Sequence, residues 1–340
     1  MRLLITGGTG FVGSRLASEL LRRGTLAGRA IEALVLADQS GPGPALDALV
    51  ADPRVEVRVG PLLDQCAGFA DDRFDGVFHL ASAVSGECEA DFALGLTSNL
   101  DSTRALLEAL RRATERGAPP ARLVFSSSVA VYGPDPSSAL PARVGDTTLP
   151  APKTSYGTHK LVCEHLVADW SRKGYVDGRS ARLMTVAVRP GRPNGAASSF
   201  FSGIVREPLA GVEAICPVDD TVSHPVSSPG TTVSGLLAVF EADVAALGGR
   251  LALNLPAVTL TVREMLAGLE AVAGPSVRAR VRFRRDERIA AIVDNWPRGA
   301  TAERAAAIGL RPDDSYESIV RQYIDDRRAA GDTAALAGLA

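Results

Sequence analysis

The sequence predicts an α/β protein: a doubly wound parallel sheet within residues 1–190, followed by a smaller C-terminal domain. Three observations predict this fold. Short apolar segments alternate with helical patterns over the first 190 residues, a glycine-rich turn follows the first segment, and the pattern becomes irregular after residue 190. Apolar strands separated by helices are typical of a parallel sheet that helices cover on both faces.

The apolar segments predict the strands of the sheet. They are residues 2–6, 32–37, 55–59, 76–81, 122–127 and 182–188. The clearest helical patterns lie between them, at residues 12–23, 91–113 and 156–172. A helix after each strand can therefore bring the chain back to the end of the sheet where the strand began, as parallel strands require.

We expect residues 191–328 to form the smaller domain, and we assign substrate binding to it. A helix is expected at 229–246, and a strand at 251–255 that is also apolar enough to rejoin the first sheet. Residues 329–340 are rich in alanine and glycine, so we expect a frayed tail.

Composition and charge restrict the classes of partner. The 340 residues carry a net charge of −2 with an isoelectric point near 6.1. Binding to nucleic acid or to an anionic membrane normally needs a basic surplus, so neither partner is expected. No uncharged apolar stretch reaches the roughly 18 residues of a membrane-spanning helix. The first residues enter a strand and do not form a signal peptide.

The cysteines and histidines predict neither disulfides nor a metal site. The cysteines are scattered without CxxC spacing, which fits a reducing compartment, and the histidines include no HExxH pattern. We therefore expect a cytoplasmic protein without a bound metal.

The stretch "TGGTGFVG" follows the first predicted strand directly and opens a helix. Gly7 would make the tight turn, Gly10 would let the backbone approach a pyrophosphate, and Gly13 would let the helix pack closely on the strand. The first helical N–H groups, those of Phe11 and Val12, would then meet the anion. The turn predicts a Rossmann-type dinucleotide site.

Asp38 ends the second predicted strand, where it can select the dinucleotide. A carboxylate at this position accepts hydrogen bonds from both hydroxyls of the adenosine ribose and repels a 2′-phosphate. The following residues, "QSGPG", offer no arginine or lysine to hold such a phosphate. The sequence therefore favours NAD over NADP.

Tyr156 and Lys160 lie one turn apart on the third predicted helix. A neighbouring ammonium stabilises a phenolate, so we expect Lys160 to lower the pKa of Tyr156 and make it a general base. Lys160 would also hold the nicotinamide ribose. Ser128 closes the fifth predicted strand, where its hydroxyl could hold the substrate oxygen, and the loop 133–155 is long enough to form a lid.

These motifs resemble those of extended short-chain dehydrogenases/reductases of the NAD-dependent epimerase/dehydratase family, over roughly residues 1–328. The resemblance rests on "TGGTGFVG", "LVLAD", "FHLAS", "NLDSTRALLEA", "FSSSVAVYG" and "YGTHK". It implies that Tyr156 is the proton acceptor, Ser128 its hydroxyl partner and Lys160 the ribose-binding residue. Asn99 would be a supporting polar group. A homodimer through the helices 91–113 and 156–172 is also expected from the resemblance.

The family pattern implies further contacts to the cofactor, from Ala81, Ala83 and Pro190. One position departs from the pattern. Family members usually carry "GDL" after the third strand, with an aspartate that binds the adenine, and this chain has Pro61 in that place. Leu62 is still expected to contact the base, and Asp64 could replace the missing carboxylate in part.

The family contains enzymes with different outcomes. A sugar dehydratase carries an Asp–Glu pair directly after the catalytic hydroxyl, and this chain has Val129 and Ala130 there, which argues against dehydration. A nucleotide-sugar epimerase with tightly bound NAD uses the same Ser, Tyr and Lys, so it stays open as the alternative. A non-catalytic NAD-binding regulator would lack the Tyr/Lys pair.

Two longer segments, residues 85–95 and 189–211, resemble members of the family that oxidise a small sugar acid at carbon 2. The resemblance implies NAD-dependent conversion of D-erythronate to 2-dehydro-D-erythronate. Small polar side chains suit a polyol, and an arginine suits its carboxylate. The candidate substrate residues are Ser85, Ser128, Arg192, Asn194 and Ser198.

Overall fold

The computed structural model describes residues 1–191 and 196–339. Its strands are β1 (Arg2–Thr6), β2 (Thr25–Leu26), β3 (Arg29–Ala30), β4 (Ala33–Asp38), β5 (Val55–Val59), β6 (Gly76–His79), β7 (Arg122–Ser128), β8 (Asp177–Leu183), β9 (Thr185–Val186), β10 (Ala214–Cys216), β11 (Ser223–Ser227), β12 (Leu253–Asn254), β13 (Val258–Thr261) and β14 (Val281–Phe283).

The α-helices are α1 (Phe11–Arg23), α2 (Asp47–Val50), α3 (Leu62–Asp72), α4 (Ser85–Ala90), α5 (Phe92–Gly95), α6 (Ser102–Glu115), α7 (Ser155–Arg172), α8 (Ser199–Leu209), α9 (Pro229–Glu241), α10 (Val262–Ala273), α11 (Pro275–Arg278), α12 (Glu287–Val293), α13 (Glu303–Ala307) and α14 (Tyr316–Ala329). A π-helical segment, Leu96–Asp101, joins α5 to α6, and short 3-10 helices lie at Pro44–Leu46, Val129–Val131 and Ala334–Leu339.

The main sheet has seven strands in the order β12-β8-β7-β6-β1-β4-β5. All of its neighbouring strands run parallel. The strand order reverses between β1 and β6, and open α/β sheets bind ligands beside the carboxyl ends of strands at such a point. The predicted doubly wound, Rossmann-type sheet is confirmed, and the end of β1 is the start of the glycine-rich turn.

Helices cover both faces of this sheet. Leu3 packs on the side of α1 and α9 together with Leu20, whereas the next residue, Leu4, packs on the side of α3 and α6 with Phe69 and Leu107. Successive side chains of a strand point to opposite faces, so a strand buried on both faces must be apolar throughout. This explains the continuous apolar segments that predicted the sheet.

The last predicted strand of the first region, 182–188, differs in the structure. The strand of the main sheet is β8, which ends at Leu183, and β9 belongs to a separate three-stranded sheet with β11 and β13. Strand β8 is not a continuous apolar segment, because it contains two arginines, Arg179 and Arg182. Both are buried, because carboxylates of Asp177 and Glu164 pair with them.

The C-terminal half contributes to two hydrophobic cores. Helix α9 and strand β12 pack on the main sheet, while α8, α10 and α14 enclose a second core around the small sheets. The boundary near residue 190 stays a prediction. The expectation of a frayed tail is wrong, because residues 334–339 form a 3-10 helix that packs against α8. A β-carbon on Gly338 would lie 2.7 Å from the backbone nitrogen of Gly211, so the two backbones are in close contact.

Candidate active site

The glycine-rich turn lies at the carboxyl end of β1, as predicted. Gly7 has a φ of 69°, and a β-carbon on it would lie 2.9 Å from the backbone nitrogen of Ala81. A β-carbon on Gly13 would lie 2.0 Å from the carbonyl oxygen of Gly7. These two glycines therefore permit a turn and a helix contact that any side chain would prevent.

The start of α1 is open to an anion. Gly10 is its N-cap, and within the described residues no side chain caps this end and no acidic residue lies in the first turn. A β-carbon on Gly10 would approach only the carbonyl oxygen of Gly7, at 3.2 Å. The first N–H groups, including those of Phe11 and Val12, therefore have no side-chain cap, as an anion-binding helix start requires, and their contact with a pyrophosphate stays a prediction.

Asp38 lies beside this turn at the end of β4. Its Oδ2 accepts a hydrogen bond from the backbone N–H of Thr9 at 3.1 Å, and its Oδ1 accepts one from the N–H of Ser40 at 3.3 Å. Each carboxylate oxygen keeps a lone pair for a further donor. The carboxylate is therefore held at the turn, where it could bind the hydroxyls of a ribose.

A buried polar relay, which sequence reasoning missed, supports the turn. The hydroxyl of Thr6 lies 2.7 Å from Nδ1 of His79, and Nε2 of His79 lies 2.8 Å from the hydroxyl of Thr103. Thr103 gives its own proton to the carbonyl of Asn99, so His79 donates from Nε2 and accepts at Nδ1. Burial lowers the pKa of His79 to about 3, which keeps the ring neutral.

Asn99 fixes the loop after β6. Its Oδ1 accepts the N–H of Ala83 at 2.7 Å, and its Nδ2 donates to the carbonyl of Ala83 at 3.2 Å. At the start of the same loop, Thr6 accepts the N–H of Ala81 at 3.2 Å. The predicted loop residues Ala81 and Ala83 are thereby held next to the glycine turn, and Asn99 acts on them from the π-helical segment, a feature that is frequent at functional sites.

Ser128, Tyr156 and Lys160 meet at the carboxyl end of β7. Ser128 is near enough to the Tyr156 phenol for its hydroxyl to favour a lower pKa of that phenol. The Nζ of Lys160 lies 5.5 Å from the centre of the Tyr156 ring and donates to the carbonyl of Ser126 at 2.7 Å. Thr154 caps the start of α7 through the N–H of Gly157, which fixes where this helix begins.

The pKa values of Tyr156 and Lys160 differ from the expectation. Burial raises the pKa of Tyr156 to about 12, although the hydrogen bond with Ser128 opposes the rise. Burial also lowers the pKa of Lys160 to about 8. Desolvation is thus the largest cause of both pKa shifts in the protein alone, and the expected lowering of the tyrosine pKa by Lys160 is not found.

The two neighbouring serines have structural partners. Ser126 donates to the carbonyl of His79 at 3.0 Å, and Ser127 donates to the carboxylate of Glu164. Both hydroxyls are buried and engaged. Ser128 is half-buried, so of the three it is the hydroxyl available to a substrate.

The other predicted residues lie in separate elements or outside the described residues, and their contacts with cofactor or substrate stay predictions. Leu62 is the first residue of α3, Ser85 the first of α4, and Ser198 precedes α8. Pro190 does not follow the strand of the main sheet directly, so its contact with the nicotinamide stays a prediction. Arg192 and Asn194 lie outside the described residues.

Residues 3–221 match the profile of the NAD dependent epimerase/dehydratase family. The chain belongs to this family. It is an NAD-dependent oxidoreductase, and NAD is its cofactor. The residues present fit this cofactor, because the uncapped start of α1 suits the pyrophosphate and the carboxylate of Asp38 suits a ribose without a 2′-phosphate.

Two relatives are similar over nearly their whole length. A D-erythronate dehydrogenase from Cupriavidus necator is 46% identical over 332 residues, which cover 96% of this chain and 98% of the relative. A D-erythronate dehydrogenase from Haemophilus influenzae is 38% identical over 326 residues, which cover 96% of this chain and 99% of the relative.

A solved structure of a nucleoside-diphosphate-sugar epimerase from Agrobacterium tumefaciens has a similar fold. Its TM-score is 0.89 at 38% sequence identity, and the match covers 97% of this chain and 95% of that chain. Within residues 1–191 and 196–339, no helix is long and apolar enough to span a bilayer. The same residues contain no group of three histidine, cysteine or acidic side chains that could hold a metal ion.

Proposed function

We propose that this protein oxidises a small sugar acid at carbon 2 with NAD, and that its substrate is D-erythronate, which becomes 2-dehydro-D-erythronate. The observation that carries the proposal is the meeting of Ser128, Tyr156 and Lys160 at the carboxyl end of β7, in the same parallel sheet whose β1 leads into the glycine turn. The similarity to two D-erythronate dehydrogenases over 96% of the chain supports the choice of substrate.

Each of the three side chains has a distinct task in the proposed reaction. NAD, when bound, would supply the hydride acceptor and a positive charge on its nicotinamide ring. Tyr156 takes the proton of the carbon-2 hydroxyl, while Ser128 binds the same oxygen and orients it. Lys160 holds the nicotinamide ribose. The ammonium and the ring charge favour the phenolate, which opposes the effect of burial on the pKa of Tyr156.

The polar side chains at the edge of the site are proposed to bind the rest of the substrate. Ser85 and Ser198 are half-buried hydroxyls, which suit the hydroxyls of a sugar acid. Arg192 and Asn194, outside the described residues, are kept as proposed partners of its carboxylate and hydroxyls. The substrate would lie between the carboxyl edge of the main sheet and the segment that leads into α8.

The test is a direct assay of net oxidation. The purified protein is mixed with NAD and a panel of four- to six-carbon aldonic acids that includes D-erythronate and D-threonate, and NADH formation is followed by absorbance. We expect NADH with D-erythronate and a higher kcat/KM for it than for the other acids. If no aldonic acid yields NADH, the proposal is wrong.

The similarity to a nucleoside-diphosphate-sugar epimerase supports a second candidate, an epimerase that retains its NAD. An epimerase returns the hydride within each turnover, so no net NADH accumulates. Conversion of a nucleotide sugar into its epimer without added NAD, and without NADH release, would favour this candidate over the dehydrogenase.

A homodimer is proposed through α5, α6 and α7. Phe92 and Leu94 on α5 are 64% and 42% exposed, and Val162 on α7 is 39% exposed, so large apolar side chains are exposed on two of these helices. Light scattering should give the mass of two chains for the native protein and of one chain for Phe92→Asp. A native protein of one chain at micromolar concentration would contradict the proposal.

A further inference from the structure

A buried ion pair lies on the catalytic helix, one turn beyond Lys160. The carboxylate of Glu164 accepts two hydrogen bonds from Arg182, one from Nε at 2.8 Å and one from Nη2 at 2.7 Å. It also accepts the hydroxyl proton of Ser127. Glu164 and Arg182 are each 5% exposed, so this pair joins α7 to strands β7 and β8 within the core.

The same arginine reaches Tyr132, which directly follows the turn after Ser128. Nη1 of Arg182 donates to the Tyr132 hydroxyl at 2.6 Å. That hydroxyl must give its own proton elsewhere, and it has two acceptors, Oδ1 of Asn254 at 2.9 Å and the carbonyl of Gly145 at 3.0 Å. Burial raises the pKa of Tyr132, so the proton stays on the hydroxyl at neutral pH.

Asn254, on the edge strand β12, continues the connection. Its Nδ2 donates to the carbonyl of Thr301 at 3.0 Å and to that of Val144 at 3.4 Å. Its backbone N–H donates to Oδ1 of Asp146 at 2.7 Å, and Oδ2 of Asp146 accepts the N–H of Arg304 at 3.0 Å. Every polar atom of the Asn254 side chain therefore has a partner.

These contacts fix the middle of the segment that joins Ser128 to Tyr156. Backbone bonds reinforce them, since Val144 donates to Gly299 at 2.9 Å and Thr301 donates to Val144 at 2.8 Å. A segment expected to be a lid thus has an anchored centre. The segment ends at Ser128 on one side and at Tyr156 on the other. Anchoring its centre therefore affects the distance between these two hydroxyl groups.

We propose that Tyr132, with Arg182 and Asn254, is a positioning residue for the reaction. Its hydroxyl joins the catalytic helix, through Arg182 and Glu164, to the anchored centre of the Ser128–Tyr156 segment. None of these side chains touches the substrate in the proposed function, on which the kinetic part of this inference rests. Their effect is on the mutual placement of Ser128 and Tyr156, to which catalysis is sensitive.

The test is the variant Tyr132→Phe, which removes the junction and keeps the buried ring. Tyr316→Phe is the matched control, because the buried hydroxyl of Tyr316 has no hydrogen-bond partner among the described residues. We expect kcat for the sugar acid to fall by about 10- to 100-fold in Tyr132→Phe and by less than about 2-fold in the control, with the Kd for NAD changed by less than about 2-fold in both.

A second measurement needs no substrate. In Tyr132→Phe, the amide hydrogens of Val144 and Thr301 should exchange faster, while those of α7 around Glu164 keep their protection. The control should leave all of them unchanged. If Tyr132→Phe does not fold, Asn254→Ala carries the same two expectations, because it removes the acceptor on β12 and the donors to residues 144 and 301.

The outcomes separate this inference from the proposed function. An unchanged exchange rate at Val144 and Thr301 overturns the inference whatever the substrate is. Faster exchange with an unchanged kcat also overturns it, because the anchored segment would then not position the site. If the native protein oxidises no sugar acid, the proposed function fails. The fall in kcat of Tyr132→Phe is then expected for whichever reaction of the family the protein catalyses.

Discussion

Gly157 lies so close to Ala130 that a β-carbon at position 157 would be 2.1 Å from the carbonyl oxygen of Ala130. Gly157 follows Tyr156 at the start of α7, and Ala130 lies in the turn after Ser128. The missing side chain therefore lets the start of α7 approach the turn that follows Ser128. This contact brings the Tyr156 phenol close to the Ser128 hydroxyl.

Gly157→Ala should separate these elements. The new methyl group meets backbone, which cannot rotate away, so the variant should lose about 1–3 kcal/mol of stability although alanine favours helices. It should also lose about 10- to 100-fold in kcat. Urea unfolding and NADH formation measure the two effects.

A control for this substitution exists in α3. Gly68 is also a helical glycine, but a β-carbon there has no neighbour within 4 Å. Gly68→Ala should gain about 0.5–1 kcal/mol and keep full activity. A Gly157→Ala variant that behaves like Gly68→Ala would show that the close contact has no role.

Tyr156→Phe should remove the general base and leave the cofactor site intact. We expect kcat to fall by about 100- to 10,000-fold, the usual range for loss of a positioned acid or base. The Kd for NAD, measured by protein fluorescence, should change little, because the glycine turn and Asp38 are distant in sequence and unaltered. Substantial turnover by this variant would exclude the role assigned to Tyr156.

Lys160→Met should stabilise the protein at neutral pH. Lys160 is 3% exposed, and burial lowers its pKa to about 8, below the value near 10.4 of an unfolded chain. Below pH 8 both states carry the proton, and the full cost of the buried charge is present. Between pH 8 and about 10.4 the unfolded state binds more protons, so the native protein regains stability as pH rises.

We therefore expect Lys160→Met to be more stable than the native protein by about 1–2 kcal/mol at pH 7, and this advantage to shrink by pH 10. Urea unfolding of both proteins without cofactor, at the two pH values, measures the difference. An advantage that does not depend on pH would mean that Lys160 is not destabilised by burial. Activity should be lost in the variant, so the buried ammonium is kept for function at a cost in stability.

Asp38→Asn tests the choice of dinucleotide. The amide keeps the shape of the carboxylate and an acceptor for the Thr9 N–H, and it removes the charge that repels a 2′-phosphate. The ratio of kcat/KM for NAD to that for NADP should fall by about 10-fold or more. An unchanged ratio would indicate that Asp38 does not contact the ribose.

The parts of the fold that follow from local chemistry were predictable. The strand of residues 2–6 matches the structure, because a strand buried on both faces needs apolar residues throughout. The strand of residues 55–59 also matches, although it is an edge strand whose Glu56 and Arg58 lie among half-buried and exposed positions. The helix at 156–172 begins one residue earlier than predicted, at Ser155, where Thr154 provides the cap. Most of strand β8 was not predicted, because Arg179 and Arg182 interrupt its apolar pattern. Asp177 and Glu164 pair with these arginines and allow them to be buried, and the pairing of Arg182 with Glu164 on α7 is a tertiary contact that no local pattern shows.

The same division holds in the active site. The glycine spacing, Asp38 and the Tyr156–Lys160 pair could be selected from sequence, since each depends on neighbours within a few residues. The relay through Thr6, His79 and Thr103 could not, because its members come from three separate elements. The only sequence signal was a histidine at the end of an otherwise apolar strand.

The sequence by itself determined the alternation of strands and helices along the chain, the glycine turn and the residues of the proposed catalytic pair, because short-range backbone preferences and hydrophobic periodicity are encoded locally. Only the tertiary structure decided the electrostatic state of that pair and the contact of Gly157 with Ala130. Burial and close approach depend on residues far apart in the chain, so the pKa of Tyr156 rises where its neighbour Lys160 alone would lower it.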